Sequence, residues 1–131
     1  MSGLHNGRDV FEYALLKVVP RVERGEMINA GVVVYCRARR FVEARTHLDE
    51  ARLLALDPTV DVAGVQAALG AVEGVCAGGA RAGQAADEDP GQRFRWLIAP
   101  RSTIVQPGPV HTGLTVDPTV EAERLLELLV R

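Results

Sequence analysis

The sequence predicts an α+β fold: an antiparallel or mixed sheet of about five strands with two or three helices mainly on one face, in the order βββααββα. Three observations carry this. Residues 10–46 repeat apolar side chains at the two-residue period of strands, with turn residues between the runs. From Leu48 to Cys76 the spacing lengthens to three and four, the period of a helix. After a glycine-rich interval, strand-like and helix-like patterns return.

The chain has 131 residues, 47% hydrophobic and 24% charged, which suits one core that needs no metal or disulfide staple. We expect a single domain over residues 1–131, folded from 9 to 131, with a flexible loop at 77–92. A formal charge of −2 draws in neither nucleic acid nor an anionic membrane as a whole. Cys36 and Cys76 lie in apolar stretches without a ligand-like spacing and read as buried small hydrophobes. The first eight residues lack an apolar signal segment, and the longest apolar run, Ala30 to Cys36, is far short of the roughly 20 residues of a membrane span. The expected location is cytoplasmic, with no membrane contact.

Val10 to Val19 places Phe11, Tyr13 and Leu15 on one face and Ala14, Leu16 and Val18 on the other, as in a central strand buried on both sides. Pro20 ends it, and residues 21–26 make a polar turn. Met27 to Arg37, with its valine triplet, is the strongest strand. Ala38 to Arg40 reads as a hairpin loop and Phe41 to Thr46 as the third strand. Asp49 to Leu56 suits a short helix with acidic residues in its first turn. Asp57-Pro58 has the form of a helix start, and the stripe Val62, Val65, Leu69, Val72, Cys76 marks the buried face of that second helix. Arg93 to Ala99 alternates like a strand, Ser102 to Gln106 reads as the fifth, and Pro107 to Gly113 as an extended loop. Asp117-Pro118 opens the last helix, buried through Leu125, Leu126, Leu128 and Leu129. The repeated Asp-Pro-Thr-Val at 57–60 and 117–120 reflects shared capping chemistry rather than duplication, because the flanking residues differ.

No catalytic motif is complete. His47 and Asp49 with His111 fall short of a converged metal site, Ser102 and His111 lack a nucleophile elbow, and no glycine pattern cradles phosphate. Neither a cofactor nor a metal is expected. Two local features remain. Arg37, Arg39, Arg40 and Arg45 cluster about the hairpin beside Tyr35 and Phe41, a composition that fits an acidic protein partner, nucleic acid or a merely solvated edge. In the segment Gly25 to Gly31, Glu26 and Asn29 are polar groups among apolar neighbours; Asn29 is either satisfied within the fold or part of a binding site, and Gly31 permits close approach. The binding site built from this segment contains Glu26, Asn29, Arg95, Ser102, Gln106 and His111, with Glu26 accepting a hydrogen bond from Arg95.

Tyr13 to Pro20, then Gly25-Glu26-x-x-Asn29-x-Gly31-Val32-Val33-Val34, then Phe94-Arg95-Trp96-Leu97 before Ser102 to Gln106, then Gly113-Leu114-Thr115-x-Asp117-Pro118, resembles an uncharacterised bacterial family, the domain of unknown function numbered 3037. The family carries no assigned activity or catalytic residues. Some members are encoded beside HipA-like kinases, so the resemblance implies a partner or regulator role. The expected function is a small non-catalytic interaction or regulatory module, with a HipA-like kinase as the implied partner. The alternatives are a small hydrolytic or nucleic-acid-processing enzyme and a nucleic-acid binder acting through the Arg37–Arg45 hairpin.

Overall fold

Two long apolar runs near the start of the chain form the centre of the sheet, β1 (Asp9–Val18) and β2 (Ile28–Cys36), paired antiparallel with Ala14 opposite Val33. The computed structural model describes residues 7–78, 89–99 and 103–131. Leu16 faces Gly31 and Lys17 faces Asn29, so Ala30 is an extra residue that bulges β2 and sharpens its twist. Strand β3 (Phe41–Thr46) flanks β2. The other side of β1 is shared: β4 (Val105–Pro107) pairs with its last residues and β5 (His111–Thr115) with its first. All these pairings are antiparallel. Pro107-Gly108-Pro109 interrupts what is otherwise one edge strand, and the Gly108 N–H still donates to the Leu15 carbonyl at 2.8 Å.

Four helices occur among the described residues: α1 (Glu50–Leu56), α2 (Val62–Ala77), α3 (Pro90–Leu97) and α4 (Pro118–Leu129). One sheet face, with Ala14, Leu16, Val33 and Ala44, is covered by Val75 and Cys76 of α2 and by Phe94 and Leu97 of α3. The same layer continues past the bulge, where Val18 and Ile28 meet Leu53 of α1 and Val65 and Leu69 of α2. The opposite face, with Phe11, Val32, Val34 and Cys36, is closed by Ala122, Leu125 and Leu126 of α4. The α+β architecture, with most helices on one face, is therefore the one the periodicity predicts. The alternation in β1 and β2 buries both faces because helices lie on both.

The helical stripe of α2 is as expected: Val65, Leu69 and Cys76 are buried, with Val62 and Val72 packed beside them. Four details differ from the expected reading. Residues 93–97 are helical rather than extended, giving βββαααββα; Phe94 and Leu97 are the buried pair, at i and i+3, while Trp96 points outward. The strand count survives because the stretch from His111, expected as loop, pairs with β1 as β5. Asp57 does not begin α2. It accepts hydrogen bonds from the Thr59 N–H and hydroxyl in a turn, and Asp61 caps the helix instead, through the Gly64 N–H. The expected loop at 77–92 is helical at both ends, with Ala77 closing α2 and Pro90 to Gln92 opening α3; residues 79–88 lie outside the described residues.

Candidate functional site

The start of α3 sets the geometry of an open groove on one side of the sheet. Asp89 accepts from the Gln92 N–H at 2.8 Å while the Gln92 side chain accepts from the Asp89 N–H at 3.1 Å, and Pro90 occupies the first helical position. Gly91 is small for a reason: a Cβ there would lie 2.8 Å from the Tyr35 hydroxyl, so glycine lets the helix sit against β2. With Phe94 and Leu97 turned inward, Arg95 and Trp96 face out. Arg95 forms a bidentate pair with Glu12 of β1, both contacts at 3.0 Å, and its guanidinium stands 5.2 Å from the Phe94 ring and 5.9 Å from Tyr35. The hydrogen bond from Arg95 to Glu12 raises the Arg95 pKa above its ordinary value.

Between α3 and the neighbouring ends of β1 and β2 runs an open groove of about 760 Å³, walled by Val10, Glu12, Tyr35, Arg37, Arg95 and Trp96. A second concavity of about 200 Å³ adjoins it, where Arg37 and Arg40 meet Asp89 and Gly91. Trp96 is 50% exposed and Val10 52%, so the groove wall offers apolar surface beside its charges.

Of the six residues expected to share a binding site, the five that are described are dispersed. Glu26 accepts from Arg24 at 2.6 Å in the exposed turn before β2, and Arg95 is taken by Glu12, so the expected Glu26–Arg95 pair does not form. Asn29 is half-buried, and its side-chain amide donates to the Leu129 carbonyl at the end of α4. Gln106 donates to the Thr103 carbonyl at 2.8 Å. His111 sits opposite Tyr13, its ring 5.2 Å from the tyrosine's, on the face that carries Phe11 and α4. Arg95 lies on the other face, so the sheet separates it from His111. Ser102 lies outside the described residues. Gly31 is approached closely by protein: a Cβ there would stand 2.8 Å from the Arg45 carbonyl oxygen.

The four arginines of the hairpin divide in two. Arg39 donates to Asp9 at 2.8 Å, and Arg45 bridges Glu43 at 2.8 Å and Glu123 of α4 at 2.6 Å, so both tie elements together. Arg37 and Arg40 are exposed at the turn and form no ion pair with the described residues. Tyr35 belongs to the groove face and Phe41 to the α4 face, so the two aromatics do not form one stacking platform.

His47 follows β3 and His111 lies on β5, at opposite margins of the sheet, and no three metal-ligating side chains converge among the described residues. Both cysteines are free and buried, as their apolar neighbours predict. Burial pushes the Cys76 thiol up to about 12 and the Cys36 thiol above its ordinary value, so neither has thiolate character near neutral pH.

Sequence reasoning missed Trp96, Tyr35 and Glu12 as neighbours, because the strand assigned to 93–99 hid them. The capping signal Asp89-Pro90-x-Gln92 marks the helix that brings them together. No helix among the described residues is long and apolar enough to cross a membrane. No curated protein and no solved structure matches the chain. A family model does match, over residues 13–130, from the second aromatic of β1 to the end of α4. The chain accordingly belongs to the family described as "Protein of unknown function (DUF3037)".

Proposed function

We propose that this protein is a non-catalytic interaction module whose groove beside α3 receives an acidic segment of a partner protein. The observation that carries the proposal is the conjunction of half-exposed Trp96 with Arg37, a cation that has no ion-pair partner among the described residues, in one concave wall. An aromatic beside an arginine at the centre of a patch is the composition of interface hot spots. Glu12 is already paired with Arg95, and Arg37 and Arg40 outnumber the one other carboxylate of the lining, Asp89, whose Oδ1 accepts the helix-cap hydrogen bond. Arginine forks bind carboxylates bidentately, which favours an acidic occupant.

The enzyme alternative loses support because Arg95 and His111 stand on opposite faces of the sheet, beyond any shared substrate position. A nucleic-acid grip on the hairpin loses support because two of its four arginines are engaged by carboxylates, which removes phosphate contacts.

Trp96 is the sole tryptophan, so its fluorescence reports directly on the groove. The test is titration with an array of acidic peptides, alongside co-purification with a HipA-like kinase from the cytoplasmic fraction of the native cell. The expected result is a Trp96 spectral shift on binding an acidic sequence, lost in Arg37→Glu and in competition with the partner. Binding that is unchanged in folded Arg37→Glu would overturn the groove. Salt-steep binding of arbitrary duplex DNA would replace the protein partner with nucleic acid.

A further inference from the structure

The two edges of the sheet are treated differently. Edge strand β3 carries Glu43 and Arg45 and is packed by α2 and α4, and charged side chains are one of the ways in which an edge is blunted. Edge strand β5, His-Thr-Gly-Leu-Thr, has no acidic residue, lysine or arginine, and among the described residues it packs substantially on β1 alone.

Its unused backbone groups can be identified. Leu15 directs its carbonyl at Gly108, and the alternation of an antiparallel ladder sends Tyr13, Phe11 and Asp9 the same way. Their partners His111, Gly113 and Thr115 therefore turn their N–H and C=O groups toward β1. Thr112 and Leu114 turn theirs outward. On the sheet face shared with α3, Leu114 lies beside Val10, and both side chains are exposed, Leu114 at 38%. Val110 and Val116, just beyond the two ends of β5, are exposed as well.

We propose that β5 pairs antiparallel with β5 of a second copy of this chain, joining two sheets across a two-fold axis at Gly113. The occupant is a second copy because the strand is complementary to itself. About that axis Thr112 faces Leu114 of the other copy, and these are the residues whose backbone groups point outward, so each pair exchanges two hydrogen bonds. Val110 faces Val116, apolar against apolar, and no charge meets a like charge anywhere along the strand. The two Gly113 residues meet at the axis as a pair without hydrogen bonds, as their inward-turned backbone requires. A closed two-fold contact of this kind consumes the β5 edge of both copies and leaves only the charged β3 edges at the two ends of the joined sheet. This pairing is independent of the groove and its acidic ligand.

The test is the molar mass of the purified full chain by sedimentation velocity across the micromolar range, with amide hydrogen exchange at 112 and 114. The expected mass is twice 14.1 kDa, with Thr112 and Leu114 amides becoming protected as concentration rises. Thr112→Pro deletes one outward N–H without touching the β1 ladder, and Leu114→Lys places a charge on each side of the axis; both are expected to remain folded and become monomeric. Val120→Lys, on an exposed position of α4, is expected to remain dimeric. A wild type that stays monomeric, or a dimer that survives both β5 substitutions, overturns the pairing. So does a dimer in which the 112 and 114 amides exchange freely, an outcome that needs no variant to be read.

Discussion

The side-chain amide of Asn29 on β2 donates to the main-chain carbonyl of Leu129 at 3.1 Å, joining residues one hundred positions apart. A carbonyl in the last turn of a helix has no partner within the helix, and Asn29 supplies one. It sits just before the bulge at Ala30, which places its side chain on the α4 side of the sheet.

Asn29 therefore acts in stability. Asn29→Ala is expected to cost about 1 kcal/mol, the usual worth of one hydrogen bond, read as a lower urea midpoint. Asn29→Asp should cost more at neutral pH, because a carboxylate cannot donate and it would face the negative end of the α4 dipole. Equal midpoints for the wild type and Asn29→Ala would mean that the contact carries no net stability.

The same glycine-to-alanine change should have opposite signs at two positions. At Gly31 the new methyl would meet the Arg45 carbonyl at 2.8 Å and the Leu16 side chain at 3.2 Å, in the middle of the sheet, and a loss of about 1–3 kcal/mol is expected. At Gly70, inside α2, nothing stands within 4 Å of the added carbon, so helix propensity governs and a gain of about 0.5–1 kcal/mol is expected. Thermal or urea denaturation of the two variants distinguishes them at once.

Asp57 gives the protein an acid-sensitive turn. Hydrogen bonds from the Thr59 hydroxyl and N–H, with Arg21 at 3.4 Å, hold its carboxyl below the ordinary aspartate value. A depressed folded-state pKa means that the stabilisation is fully present above the unfolded value of about 3.9 and is lost as pH falls through the folded value. The wild type should thus exceed Asp57→Asn in urea midpoint at pH 7, with the gap closing as the pH drops below about 4. A gap that is constant with pH would show that the charge of Asp57 contributes nothing.

The hairpin arginines should separate by charge reversal. Asp9 is only 5% exposed, so Arg39→Glu would set two carboxylates together at a buried position and lower the denaturation midpoint. Arg37→Glu should leave stability within about 0.5 kcal/mol, as for other solvated surface changes. A combined reversal of Arg37, Arg39 and Arg45 would therefore confuse unfolding with loss of binding, and Arg37 with Arg40 is the pair to use.

Elements whose signals are local were legible in the chain alone. Alternating apolar faces fixed β1 and β2, the three-and-four stripe fixed α2, and Asp117-Pro118 fixed the start of α4 through its own capping bond. Even so, Asp-Pro-Thr-Val makes the same aspartate-to-backbone bond at both of its occurrences, 3.0 Å at Thr59 and 2.9 Å at Thr119, and continues as a helix only after Pro118. At the first occurrence Asp61 offers a later cap, and Val62 begins the helix that meets the sheet. Docking of distant segments settled the rest. The alternation Phe94, Trp96, Ile98 suits a strand, but Phe94 and Leu97 gain more by packing as a helix against Val33, Ala44 and Cys76. Which carboxylates Arg39, Arg45 and Arg95 meet, that Asn29 reaches Leu129, and that β5 pairs with β1 alone among the described residues all depend on chain segments brought together across the sheet. Spacing along one segment encodes the periodicity of its buried face, whereas a groove or an ion pair exists only once two segments have docked, which is why the fold was legible before the site.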